Sequence, residues 1–209
     1  MRTFLACATA FCELVLGAGL LWRRTARIAA LLLTLFFTIF VLLWVPPILA
    51  HPGVYDGYGN FFEELSLVIA GAVAVAWLSP IGSRWSRALG PLTRLYGVCV
   101  ISYALVHFFN LRAAASYVPA WIPPGQMFWA VTTAICFALA AAAILTGILA
   151  GLASRLLTAM IIGFELLIWV PFLIKSPHDH FIWAGNSISI ALCGAVWLIS
   201  DAIVASRKR

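Results

Sequence analysis

The chain has 209 residues, of which 64% are hydrophobic and 10% charged, and its mean hydropathy is +1.06. A water-soluble domain is about half apolar and about a quarter charged, so this chain has too few polar side chains to cover a globule. That excludes an ordinary soluble enzyme, a disordered chain and a nucleic-acid binder, and the net charge of +6 is explained below by where the basic residues fall.

A helix needs about 20 mostly apolar residues to cross the roughly 30 Å hydrocarbon layer. Seven such runs occur, at 3–22, 28–50, 61–79, 93–110, 127–149, 156–174 and 181–201. Each is too long for a barrel strand and none alternates with a period of two, so the chain reads as an all-α, polytopic transmembrane helical bundle of seven spans. Its immediate partner is the lipid bilayer.

The first run carries Glu13 near its middle. Its positive cluster follows it, so it reads as a mature span and not a secretory signal. The second run ends on Trp44-Val45-Pro46-Pro47 and His51, and Asp56, Glu63 and Glu64 come next, on the same side as His51. Residues 81–92 form a basic linker on the opposite side. The fourth run carries His107 near its end, and the turn from Ala120 to Gly125, with Trp121, Pro123 and Pro124, leads into the fifth. That fifth run has a smooth stretch, Ala138 to Ala143, and the small-residue spacing Gly147-Ile148-Leu149-Ala150-Gly151, which favours close packing within the bundle or across a homodimer. The sixth holds Glu165 and Trp169-Val170-Pro171, and His178 and His180 flank Asp179 before the seventh.

Ten basic residues (Arg23, Arg24, Arg27, Arg84, Arg87, Arg94, Arg155, Arg207, Lys208 and Arg209) fall on one side of this path, against Arg2, Arg112 and Lys175 on the other. The positive-inside rule then predicts an outside N-terminus and a cytoplasmic C-terminus. Tryptophans, which collect at membrane interfaces, divide the same way: Trp44, Trp121, Trp129, Trp169 and Trp183 toward the outer face, Trp22, Trp77, Trp85 and Trp197 toward the inner. Abundant arginine and compact loops fit a bacterial plasma (inner) membrane.

Features recur in order. Arg27, Trp44-Val45-Pro46, Pro52, Gly59-Asn60 and Trp77 are matched by Arg155, Trp169-Val170-Pro171, Pro177, Gly185-Asn186 and Trp197, at offsets between 128 and 120 residues. Spans one to three thus correspond to spans five to seven, two parallel repeats joined by an inverted fourth span in a 3+1+3 plan. Small sugar transporters share that plan, as a fold-level analogy. The segments are 1–80 (first repeat, three helices), 81–92 (cytoplasmic basic linker) and 93–209 (second repeat, four helices).

On these residues the chain resembles the DoxX-like family of small membrane proteins. Glu13-Leu14-Val15-Leu16-Gly17-Ala18-Gly19, Arg23 to Arg27 with Ile28-Ala29-Ala30-Leu31, Trp44-Val45-Pro46 and Asn60-Phe61-Phe62-Glu63-Glu64-Leu65 look like that family's second to fourth helices. His107-Phe108, Val118-Pro119-Ala120-Trp121-Ile122-Pro123, Phe128-Trp129 and Arg155 look like a whole four-helix unit. The resemblance implies a membrane subunit or partner of a redox system linked to quinone, sulfur or thiol stress, beside a soluble oxidoreductase or sulfurtransferase. It carries over no catalytic residues. The first unit lacks the family's opening helix, so either the protein has seven spans or an eighth precedes Met1. N-terminal sequencing of the native protein decides between them, and an intact Met1 removes the second.

Glu13 and Glu165 are the candidate catalytic residues, because an ionisable group inside a span is costly. Ala6, Thr9, Glu13 and Gly17 share one helical stripe; Thr158, Glu165 and Trp169 share another. Proton transfer, or a hydrogen bond to a quinone or small solute, is one reading. The other is a glutamate that holds its proton and bonds a neighbouring threonine or backbone carbonyl, acting as glue between helices. His107 is the candidate cofactor contact. His51, His178 and His180 are candidate metal ligands, since imidazole with nearby carboxylates suits zinc, copper or iron, although polar residues also gather in loops at any membrane face. Pro46, Pro47 and Pro171 either kink equivalent helices, as a gate in a transporter would, or simply end them. The cysteines Cys7, Cys12, Cys99, Cys136 and Cys193 form no C-x-x-C pair and predict no disulfide. No motif decides whether the chain turns over a substrate. A small-solute transporter or channel and a non-catalytic scaffold remain alternatives to the redox partner.

Overall fold

A computed structural model describes residues 2–206, with side chains from Cys7 onward. The side chains of Arg2 and Ala6, and the closing Arg207-Lys208-Arg209, lie outside the described residues. Within them every regular element is helical: α1 (Arg2–Leu20), α2 (Ala26–Ala50), α3 (Tyr55–Trp77), α4 (Arg84–Arg87), α5 (Leu89–Phe109), α6 (Leu111–Tyr117), α7 (Gln126–Thr146), α8 (Ala150–Phe164), a π turn (Glu165–Trp169), α9 (Val170–Lys175) and α10 (His180–Ser206). Six helical stretches among them are long and apolar enough to cross a membrane, counting Ala150–Lys175 as one, and the described apolar part of α1, Cys7–Leu20, is shorter. The chain is an integral membrane protein by this measure, a helical bundle as its composition predicts.

Several boundaries differ from the sequence pattern: the fourth span opens at Leu89, inside the 81–92 linker, the sixth opens at Ala150 and the seventh runs on to Ser206, and two other shifts have a clear local cause. The third span opens at Tyr55, six residues before the apolar run, because its polar first turns find partners: Asn60 Nδ2 donates to Asp56 O (3.0 Å), Tyr58 Oη donates to Pro52 O (3.3 Å) and Tyr55 Oη pairs with Ser102 Oγ (3.3 Å). The fifth span ends at Thr146 because Gly147 takes the left-handed conformation (φ +79°) and closes the helix with an N–H to Ala143 O. Leu149 follows at φ 54°, and α8 begins at Ala150. Gly147 and Gly151 therefore stand on either side of a turn. They share no helix face, and the small-residue spacing expected to act as a packing motif does not form one.

Five helices close a ring, α3 on α5, α5 on α7, α7 on α8, α8 on α10 and α10 back on α3. Its core runs through Val73, Val100, Ile144, Leu157 and Ile199. α2 lies outside this ring against α3, and among the described residues α1 leans mainly on α2. Leu31, Leu35, Ile39 and Leu42 of α2, like Leu139 of α7 and Leu156 of α8, are exposed large apolar side chains, as expected where lipid is the solvent.

Lipid tails are as apolar as leucine, so close packing must hold these helices together. Small residues allow it. A Cβ on Gly97 of α5 would come 2.7 Å from Leu145 Cγ and 3.3 Å from Ala141 O of α7, and one on Gly71 of α3 would strike Thr34 of α2. Hydroxyls inside the helices bond back to their own backbone, as Thr34 does to Ala30 O (2.7 Å) and Thr38 to Thr34 O (2.7 Å). Prediction: Gly97→Ala, which overpacks the α5–α7 contact, lowers stability by about 1–3 kcal/mol in thermal unfolding in detergent. Gly90→Ala, whose Cβ meets open space, does not lower the transition and raises stability by up to about 1 kcal/mol.

Candidate functional site

The site begins with a local consequence of Pro171. Proline lacks an N–H, and its ring would meet the carbonyl of Leu167 four residues back in a regular helix. The chain widens instead into a π turn over Glu165–Trp169, with Val170 N–H bonded to Glu165 O. Such turns are rare and collect at functional sites. Pro46 and Pro47 produce no such turn, since α2 runs through them to Ala50.

Inside the π turn Glu165 is 8% exposed. Asn186 Nδ2 of α10 donates to its Oε1 at 2.6 Å, while Oε2 is buried with no hydrogen-bond partner. The neighbouring glycine makes the approach feasible: the Trp169 ring lies where a Cβ on Gly185 would stand. Gly185 lets the π turn close on α10, and Asn186 then reaches the carboxyl. Thr158, on the stripe with Glu165, is occupied elsewhere, donating to Ser154 O at 2.9 Å.

A second polar group fills the middle of the ring. Ser66, Cys99 and Cys193 are the central residues of α3, α5 and α10. The Ser66 and Tyr103 hydroxyls are hydrogen-bonded, and Ser66 Oγ also donates to Phe62 O at 2.8 Å. A serine has one proton to give, so Tyr103 is the donor to Ser66. Tyr96, fully buried, has a hydroxyl with no hydrogen-bond partner, in electrostatic range of Ser66, Tyr103 and Cys193. Cys193 is in turn in range of Glu165. On the other side Tyr103 senses Glu63, and Glu64 is in range of both Glu63 and Glu13. Glu64 Oε2 is also buried without a partner.

These groups lie within electrostatic range of one another from Glu165 and Asn186 through the bundle centre to Glu63, Glu64 and Glu13, a polar file in which Asn186–Glu165 and Ser66–Tyr103 are hydrogen-bonded. Asn186 lies seven residues before Cys193, about 10 Å toward the histidine-bearing end at the α-helical rise. The file therefore slopes along α10 from near the helix start toward its centre. Within it Tyr103 donates to Ser66 and Ser66 to Phe62 O, a short relay of two hydroxyls.

Of the residues singled out by sequence, Glu165 is at the buried end of the file and Glu13 at its exposed end on α1. His107 borders it: Nδ1 faces Tyr103 O at 3.0 Å and so carries the proton, and the ring packs on Phe137 (5.0 Å) and stacks with Phe164 (6.3 Å). His51, His178 and His180 are exposed, and His51 closes α2 through its backbone N–H to Pro47 O. Among the described residues no three His, Cys, Asp or Glu side chains gather in a metal-binding group, so the three histidines do not form one with the nearby carboxylates. Asp56 accepts from Asn110 Nδ2 at 2.7 Å. All five cysteines are free.

Ser66, Tyr96, Tyr103, Asn186, Glu63 and Glu64 belong to the file without having been singled out as mid-bilayer groups. The spacing of Tyr96, Cys99 and Tyr103, three then four residues, is the signal that marks them as one helix face. Glu63 and Glu64 had been placed with the outer histidines, and the early start of α3 at Tyr55 is what moves them to within three residues of its centre. Compared with known proteins, the chain matches no family model, no curated protein and no solved structure.

Prediction: Asn186→Leu strips Glu165 of its donor and lowers stability by about 1–2 kcal/mol. Glu165→Leu combined with Asn186→Leu costs less than the sum of the single changes. A double-mutant cycle on thermal unfolding in detergent reads the coupling, and strict additivity would show that the pair does not interact.

Proposed function

We propose that this chain is the membrane partner of a redox system and that its polar file exchanges protons with a reduced or oxidised carrier of the quinone class. The observation that carries this reading is the buried, unpartnered Glu165 Oε2 beside Asn186 in a π turn. A carboxyl oxygen in that position can hold a proton or accept a hydrogen bond from a hydroxyl-bearing carrier. His107, with its proton committed to Tyr103 O, keeps Nε2 as an acceptor on the edge of the file. The resemblance to DoxX-like proteins supports a soluble oxidoreductase or sulfurtransferase as the partner on the water side.

The proposal takes the chain to have seven spans with an outside N-terminus, a cytoplasmic C-terminus and a bacterial plasma membrane around it. It also takes the two halves to be parallel repeats. In support, α1, α2 and α3 pack in sequence, as do α7, α8 and α10, and α3 meets α10 where the two triplets join.

A small-solute transporter is the second reading, favoured by the π turn ahead of Pro171, since a helix interrupted within its span is the usual place for a solute to bind.

Prediction: native mass spectrometry of the complex, gently solubilised from its own membrane, finds quinone or a soluble oxidoreductase at fixed stoichiometry. Glu165→Gln keeps the fold and lowers quinone-linked turnover by about tenfold or more, the scale of a lost proton-transfer group. A bare chain with only bulk lipid, together with solute flux in liposomes, moves the assignment to transport; no partner and no flux leaves a scaffold.

A further inference from the structure

A groove of about 620 Å³ runs between the 116–126 segment and the helix formed by the π turn and α9. Its size is within the roughly 300–1,000 Å³ range of small-molecule sites. Leu167 and Phe172 give it an apolar wall, Tyr117, Trp121 and Gln126 form the opposite side, and Lys175 stands at the rim. Tryptophan, tyrosine and lysine together are the residues that favour the boundary between hydrocarbon and headgroups.

We propose that this groove holds one acidic phospholipid of the adjoining leaflet, with the phosphate against Lys175 and the upper acyl carbons on Leu167 and Phe172. The argument is charge complementarity. Among the described residues Lys175 makes no ion pair, and the Tyr117 hydroxyl and Trp121 indole N–H have no protein acceptor. No carboxylate lines the groove, and the acid four residues on, Asp179, accepts from Phe181 N–H at 2.8 Å. The rim thus offers a positive charge and free donors, while Gln126 spends a donor on Val118 O at 2.6 Å. A phosphodiester is an anion that only accepts hydrogen bonds, so it matches this set. A zwitterionic lipid brings its own ammonium or choline group into the same small space and loses part of the attraction. The inference does not depend on the redox reading.

The full chain is reconstituted in nanodiscs of equimolar phosphatidylglycerol and phosphatidylcholine, released, and weighed by native mass spectrometry. One phosphatidylglycerol is retained per chain, about fivefold over phosphatidylcholine, the effect of a single basic residue near an anionic lipid. Lys175→Gln brings the ratio close to one, and Lys175→Arg restores it. Arg112→Gln, which removes the other described cation on that side but not from the groove, leaves the ratio unchanged. Equal retention of the two lipids by the wild type, an unchanged ratio in Lys175→Gln, or an equal loss in Arg112→Gln overturns the proposal. So does displacement of the phospholipid by an equal concentration of oleate, which assigns the groove to a carboxylate.

Discussion

Hydrocarbon offers a polar group nothing to bond to, so each one inside the bilayer must be satisfied by the chain itself. Most of this chain complies locally, with serine and threonine hydroxyls turned onto carbonyls of their own helices. A few join two helices, as Ser66–Tyr103 and Ser154–Ser200 do, and among these the contact between Glu165 and Asn186 is different because it depends on three further residues. Pro171 follows the turn that carries Glu165, Gly185 lacks the Cβ that would keep Trp169 away, and the Trp169 ring packs into that space on α10. Each makes sense only with the others, which ties a local backbone irregularity to the packing of α8 on α10.

The class of fold was legible because its cause is compositional. A chain so poor in charge cannot fold in water, and the lengths of the runs leave only helices. The ends of the helices were harder to read for an equally physical reason. Hydropathy registers side chains, whereas α3 begins where polar side chains find protein partners, and α7 stops where one glycine adopts a left-handed backbone. Glu165 stood out as an acid within a span, but Asn186 did not, because an asparagine near a helix start is ordinary until the opposing acid is known. Tyr96 and Tyr103 escaped notice because tyrosine is common in membrane proteins, and only the ring of five helices turns both toward Ser66.

The two Trp-Val-Pro segments show how little a matching motif fixes. Around Trp44 and Pro46 the helix passes through two prolines and keeps its α form, on a helix largely exposed to lipid. Around Trp169 and Pro171 it opens, in contact with α10. The difference follows the surroundings: one helix lies outside the ring and the other is part of it. A strained or widened turn persists where neighbours hold it.

The widened turn also alters everything beyond it. Each added residue in a helix turns the following side chains by about 100°, so a π turn acts as a one-residue offset in angular phase between α8 and α9. α9 still meets α10 beyond the turn, as α8 does before it, but with its side chains one residue out of step. The groove is lined from both sides of that offset, by Leu166, Leu167 and Ile168 of the turn and by Phe172 and Lys175 beyond it, so deleting one residue from the turn would rotate the last two against the first three by about 100° and part the two halves of one wall.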